Sequence, residues 1–132
     1  MRSICVVITA RASYGRIKSA LQAIREHPDL KLQIVLCASA VLERYGDLRP
    51  QLENEGFKID AQAFTLIEGE TLLTSAKSVG LGVIELSNIF DRLRPDAVVT
   101  IADRFETIAT ALAACNMNIP LVHVQGLSLI HI

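Results

Sequence analysis

The 132-residue sequence lacks the features that mark membrane-spanning and nucleic-acid-binding proteins. Its 13 basic and 14 acidic residues are mixed along the chain and give a formal net charge of -1, which favours neither nucleic acid nor an anionic membrane surface. No apolar run approaches the roughly 20 residues that cross a bilayer. Residues 2–8 are too short for a signal peptide. We therefore predict a cytoplasmic protein with no nucleic-acid partner and no membrane partner.

The sequence also lacks the cysteine and glycine patterns of common cofactor sites. Cys5, Cys37 and Cys115 are odd in number and far apart, which differs from metal-ligand spacing, so we interpret them as buried thiols. The loop at residues 9–13 has none of the glycines that bring a backbone against the pyrophosphate of NAD or FAD. The sequence thus predicts no metal and no cofactor.

What the sequence does contain is an alternation of apolar runs with amphipathic segments. Hydrophobic residues make up 51% of the chain, which is enough for one domain with one core. The apolar runs predict strands, and the segments between them have helical spacing. The predicted strands are residues 4–8, 32–37, 57–64, 97–101 and 121–124. We predict an α/β fold, a Rossmann-like parallel sheet with helices on both faces and the strand order 3-2-1-4-5.

The longest predicted helix runs from Glu70 to Leu93 and contains two glycines, Gly80 and Gly82. Each glycine costs roughly 1 kcal/mol in a helix interior relative to alanine. A close backbone contact could offset that cost, or the helix could break and expose its N–H groups. Because glycine pairs are frequent kink sites, we predict a bend or break. A second helical region, residues 41–55, is expected to end at Gly56, with Pro50 at a break or in the first turn of a short helix.

Polar residues follow the first predicted strand. Thr9, Arg11 and Ser13 lie where a helix begins, and an arginine beside helix-terminal N–H groups can hold an anion. Arg11 could equally be a solvated loop residue. For Ser13 we favour a plain N-cap role.

A second polar group, Asp103, Arg104, Glu106 and His123, lies at the ends of the last two predicted strands. Ligands of open α/β sheets bind beyond the carboxyl ends of the strands, so we expect Arg11, Asp103 and His123 to converge there. Asp103 fits either a general acid or base, or an N-cap whose capping box is completed by Glu106. His123 fits either a core histidine or a pocket residue.

Six short motifs lie in series along the chain. They are TARASYG at 9–15, GFKID at 56–60, KSVGLG at 77–82, RPD at 94–96, DRFE at 103–106 and IPLVHVQG at 119–126. Each is weak alone. In this order and spacing they resemble the hydrolysing UDP-N-acetylglucosamine 2-epimerases, in the branch that serves sialic acid synthesis.

The resemblance implies a glycosyltransferase-B-like enzyme in which two Rossmann-like domains face each other across a cleft. Residues 1–126 resemble the amino-terminal domain alone, and the carboxyl-terminal domain is absent from this sequence. The implied reaction eliminates UDP from UDP-N-acetylglucosamine to give 2-acetamidoglucal, and then adds water to give N-acetylmannosamine. No metal, NAD or flavin is implied, and the full-length enzyme is expected to be a homo-oligomer.

The matching motifs also imply roles for individual residues. Arg11 would hold the charge of the departing phosphate, and Asp103 would be a catalytic carboxylate near the sugar. The residues implied to line or support the substrate pocket are Ser13, Arg104, Glu106 and His123.

The chain departs from the family pattern at its end. After the histidine strand the family continues with Gly-Gly-Glu, whose glutamate is another catalytic carboxylate, whereas Gly126 is followed here by LSLIHI. We interpret residues 127–132 as a non-native tail and expect the fragment to be inactive alone. Two alternatives stay open: a related hydrolysing epimerase acting on a UDP-diacetamido sugar of the legionaminic acid pathway, and a non-catalytic nucleotide-binding α/β module.

Overall fold

The computed structural model describes residues 1–42, 47–67, 69, 71–101 and 105–125, and its centre is one parallel sheet. The strands are β1 (Arg2–Ile8), β2 (Leu30–Cys37), β3 (Ala61–Ala63), β4 (Ala97–Ile101) and β5 (Leu121–Val124). They are arranged in the order β3-β2-β1-β4-β5, and every neighbouring pair is parallel. The predicted fold class and strand order are confirmed.

Within the described ranges, four α-helices cover the two faces of this sheet. They are α1 (Arg11–Glu26), α2 (Arg49–Asn54), α3 (Leu72–Leu93) and α4 (Phe105–Asn116), and a short 3-10 turn at Ala38–Val41 follows β2. Helices α1 and α2 pack on one face, and α3 and α4 pack on the other. No helix in the described ranges is long and apolar enough to span a membrane.

Alternation along the strands divides the apolar residues between two cores. Val6 and Ile8 of β1 face α1 and α2, whereas Cys5 and Val7 face α3 and α4. Since both faces of β1 are covered, its last four residues are all buried. The prediction of buried thiols is correct for Cys5 and Cys37 and wrong for Cys115, which is exposed in the last turn of α4.

The third strand is shorter than the predicted 57–64: it covers Ala61–Ala63, and Phe57 bonds to α2 rather than to the sheet. Its backbone N–H donates to the carbonyl of Leu52, 2.9 Å away, and its side chain packs in the core against α1. The preceding helix α2 contains Pro50 in its first turn, as one of the two interpretations expects. Gly56 follows the helix with φ +87°, a left-handed conformation typical of a glycine after a helix end.

Helix α3 is continuous through both glycines, so the predicted break near Gly80 and Gly82 is wrong. Gly82 is buried, and a Cβ added to it would lie 2.8 Å from the Cβ of Ala109 on α4. The alternative of a close backbone contact is therefore correct for Gly82. Gly80 has no atom within 4 Å of such a Cβ. The helix begins at an N-cap, Thr71, that forms a capping box with Thr74.

Candidate active site

The carboxyl ends of all five strands lie along one edge of the sheet, because the strands are parallel. Strand β1 lies next to β4, and β4 lies next to β5. The segments that carry Arg11, Glu106 and His123 therefore come from neighbouring strands. Asp103 and Arg104 lie outside the described residues, so the convergence of Asp103 with Arg11 and His123 stays a prediction.

Helix α1 begins at Arg11, only two residues after β1 ends. Its N-cap is Ala10, in extended conformation, whose side chain makes no capping hydrogen bond. The predicted N-cap role of Ser13 is therefore wrong: Ser13 lies inside the first turn, is 3% exposed, and donates its backbone N–H to the carbonyl of Ala10. The start of α1 combines an exposed guanidinium with helix-terminal N–H groups, which suits an anion.

The side chain of Arg11 contacts α2. Its Nη2 donates to Oε1 of Gln51 at 3.3 Å. Sequence reasoning did not identify Gln51 as part of the site, because the two residues are 40 positions apart. The only sequence signal was a polar residue in the segment between two predicted strands.

Glu106 is a buried acid in the first turn of α4, with 6% of its surface exposed. The positive end of the helix dipole stabilises a carboxylate at this position. Burial, and then the negative charge of Glu106, raise the pKa of the Cys37 thiol to about 12. The carboxylate thus lies within electrostatic reach of the end of β2. Its predicted capping-box partner, Asp103, lies outside the described residues.

His123 lies on β5, directly opposite Thr100 of β4 in the parallel register. Thr100 Oγ1 and His123 Nδ1 are 2.7 Å apart, and Thr100 is 2% exposed. His123 itself is exposed, so the interpretation as a core histidine is wrong. The reason is that β5 is the last strand of the sheet, and Leu121 and Val122 beside it are also exposed. One ring nitrogen of His123 is thus held by a buried hydroxyl.

Comparisons with known proteins agree with this architecture. A family model described as UDP-N-acetylglucosamine 2-epimerase matches residues 22–127. A Campylobacter jejuni protein named GDP/UDP-N,N'-diacetylbacillosamine 2-epimerase (hydrolyzing) is 32% identical over 125 residues, covering 95% of this chain and 32% of the relative. A Legionella pneumophila UDP-N,N'-diacetylbacillosamine 2-epimerase (hydrolyzing) is 28% identical over 126 residues, covering 96% of this chain and 33% of the relative. The chain spans about a third of the length of these curated relatives.

A solved structure shares the fold. The Neisseria meningitidis UDP-GlcNAc 2-epimerase, crystallised with UDP-GlcNAc, superposes with a TM-score of 0.77 at 20% identity, covering 98% of this chain and 34% of that protein. At this identity the likeness concerns the fold.

Proposed function

Because the chain belongs to the UDP-N-acetylglucosamine 2-epimerase family, we propose that residues 1–126 are the amino-terminal domain of a hydrolysing 2-epimerase. The proposed substrate is UDP-N-acetylglucosamine, and the products are N-acetylmannosamine and UDP. The observation that carries the proposal is the family match over residues 22–127, which includes the ends of β4 and β5 and the polar residues there.

The proposed reaction has two steps, and each needs a proton to be moved. In the first, the proton on C2 leaves and the bond from C1 to the phosphate oxygen breaks, with its electron pair going to UDP. The product of that step is 2-acetamidoglucal. In the second, water adds its hydroxyl to C1, and a proton returns to C2 from the opposite face. The site therefore needs a proton acceptor and donor near C2 and positive charge near the departing phosphate.

Arg11 is the proposed partner of the departing phosphate. It is exposed at the first position of α1, beside first-turn N–H groups that the N-cap side chain does not satisfy. A guanidinium and a helix N-terminus together stabilise the charge that develops on the leaving oxygen. Ser13, in the same turn, is proposed to support this phosphate subsite.

Asp103 is the proposed catalytic carboxylate, which moves the C2 proton. It follows β4, which lies between β1, the strand that precedes α1 and Arg11, and β5, the strand that contains His123. Arg104, Glu106 and His123 are proposed to line or support the sugar pocket. The second wall of the cleft and a further catalytic glutamate are proposed to come from the remainder of a longer protein, which we expect to be a homo-oligomer.

A second candidate substrate is a UDP-linked diacetamido sugar. The two curated relatives described above, at 32% and 28% identity, carry names that specify N,N'-diacetylbacillosamine. The chemistry at C1 and C2 is the same for both sugars, so the residue roles proposed above apply to either substrate.

The test uses the full-length protein that carries this domain, supplied with each UDP sugar in turn. Release of UDP and formation of the free amino sugar are measured for the wild type and for Asp103→Asn. We expect the variant to lose about 100-fold to 10,000-fold in kcat, the usual contribution of a positioned acid or base. The matched control is Asp91→Asn, an exposed acid on α3 whose partner is Arg94, which should keep its activity. Unchanged turnover by Asp103→Asn would place the chemistry on another residue.

A further inference from the structure

A chain of polar contacts runs from Arg11 across the surface of α1 to the end of α2. The Arg11 guanidinium donates to Oε1 of Gln51 at 3.3 Å, and Nε2 of Gln51 donates to Oε1 of Glu55 at 3.3 Å. The second carboxylate oxygen of Glu55 accepts from the hydroxyl of Tyr14 and lies 2.8 Å from Nζ of Lys18. Glu55 is therefore the point where three side chains meet.

The ionised state of Glu55 determines which group donates and which accepts in each hydrogen bond of this network. Hydrogen bonds from Lys18 and then from Tyr14 lower the pKa of Glu55 to about 2, so at neutral pH it only accepts. Gln51 must then turn its amide nitrogen to Glu55, which leaves its amide oxygen facing Arg11. Since a guanidinium only donates, this is the orientation in which Gln51 binds both neighbours.

Tyr14, at the end of the hydrogen-bond network opposite Arg11, is held in the core, whereas Arg11 is exposed. Tyr14 is 2% exposed and packs edge-on against Phe57, with ring centroids 6.4 Å apart. Burial and the bond to Glu55 raise the pKa of Tyr14, so its hydroxyl remains a donor. Hydrogen bonds through Glu55 and Gln51 thus connect the exposed Arg11 guanidinium to the buried ring of Tyr14, and they restrict where the guanidinium lies.

We propose that Gln51, oriented by Glu55, is a positioning residue that holds the Arg11 guanidinium at the carboxyl edge of the sheet for the diphosphate of the nucleotide sugar. This inference rests on the proposed function, in which Arg11 binds that diphosphate. Gln51 takes one of the five N–H donors of the guanidinium and limits the rotamers that Arg11 samples before an anion arrives.

The alternative is that these contacts only attach α2 to α1. Arg25 provides the matched control, because it joins the same two segments without contacting Arg11. Its Nη1 donates to the carbonyl of Gly56 at 2.9 Å, and its guanidinium lies 4.2 Å from the centroid of Phe57. A purely structural role predicts that Gln51→Met and Arg25→Met have effects of the same kind.

The experiment measures inhibition by UDP, KM, kcat and Tm in the full-length protein for Gln51→Met, Arg25→Met, Arg11→Met and the double variant Gln51→Met/Arg11→Met. We expect Gln51→Met to weaken UDP inhibition and raise KM by about 2-fold to 10-fold, the range that one hydrogen bond supplies. Arg25→Met should lower Tm and leave UDP inhibition unchanged. In the Arg11→Met background, Gln51→Met should have no further effect, since the two residues act through one contact.

The outcomes test separately the proposed role of Arg11 in binding the diphosphate and the proposed role of Gln51 in positioning Arg11. If Arg11→Met leaves UDP inhibition unchanged, the proposed role of Arg11 is wrong, and the positioning role of Gln51 is wrong with it. If Arg11→Met weakens inhibition and Gln51→Met does not, only the positioning role is overturned. A Gln51→Met effect that persists in full without Arg11 also overturns it. Should Gln51→Met fold poorly, Gln51→Asn keeps an amide that is too short to reach Arg11, and the same results are expected of it.

Discussion

At the scale of single residues, hydrogen bonding rather than burial decides the state of Glu55. Its side chain is 26% exposed, and yet three side chains converge on its two oxygens. Neighbouring Glu53 is 59% exposed and has a longer contact with Arg49, at 3.7 Å. Two glutamates in one short segment therefore differ in how strongly they are coupled to the fold.

We expect Glu55→Gln to destabilise the protein at neutral pH and to do so less in acid. The folded pKa of Glu55 is about 2, below the ordinary value of 4.5. The ionised form thus stabilises the fold above pH 4.5, and this contribution is lost as the pH falls from 4.5 towards 2. Urea unfolding at pH 7 and pH 3 measures the difference between variant and wild type. Glu53→Gln is the control, with a small effect at both pH values. An equal effect of Glu55→Gln at the two pH values would contradict the assignment.

At the scale of elements, the contact between α3 and α4 explains why a glycine stands in the middle of a long helix. The Cβ of Ala109 comes so close to α3 that a side chain at position 82 would meet it at 2.8 Å. Gly80, two residues earlier, is exposed and faces open space. The same residue type is therefore required at one position and only tolerated at the other.

We expect opposite results from the same substitution at the two glycines. Gly80→Ala should stabilise the protein by about 0.5–1 kcal/mol, because alanine has the higher helix propensity and a less flexible unfolded state. Gly82→Ala gains the same propensity but overpacks the helix contact, which costs about 1–3 kcal/mol, so the net effect should be destabilising. Thermal or urea unfolding of both variants measures this. Adding Ala109→Gly to Gly82→Ala should recover part of the lost stability. If Gly82→Ala alone stabilised the protein, α3 and α4 would have to move apart at no cost, which would contradict the prediction.

The sequence predicts the elements better than it predicts the contacts between them. Alternating apolar runs and helical segments were enough to predict five strands in a parallel sheet, and the Rossmann-like class supplied their order. The prediction of a break at Gly82 failed because the sequence shows the missing side chain and does not show Ala109 opposite it. The sequence allowed His123 to be interpreted as a core residue, because the apolar run around it is the same whether the strand is central or at the edge of the sheet. The link from Arg11 to Gln51 needed the three-dimensional structure.

At the scale of the whole molecule, the polar residues of the candidate site lie along one edge of the sheet, where Arg11 and His123 are exposed. The polar ends of β1, β4 and β5 share one edge, and α1 and α2 cover the sheet near β1 and β2. Leu121 and Val122 of β5 are 38% and 49% exposed. Because the chain spans about a third of the length of its curated relatives, we propose that the substrate takes further contacts from the remainder of a longer protein.

We therefore expect the 132-residue chain to turn over UDP-N-acetylglucosamine poorly or not at all. We expect a chain that spans about a third of the length of its relatives to supply only part of the binding contacts. Loss of one positioned acid or base alone reduces the rate by about 100-fold or more. UDP release by this chain, compared with that of the full-length protein at equal concentration, measures the difference. Equal activity of the two would mean that the chemistry needs no residue beyond this chain.

The burial of the cysteines has a practical consequence for labelling. Cys5 and Cys37 are 0% and 2% exposed, and burial raises the pKa of each thiol to about 12, so neither presents a thiolate to a reagent at neutral pH. Cys115 is exposed in the last turn of α4. Because α4 starts at the carboxyl edge of the sheet and ends at the opposite edge, Cys115 lies far from the proposed site. Of the three cysteines in this chain, a maleimide dye thus has one to modify, so Cys115 provides a single-position fluorescent reporter for these 132 residues.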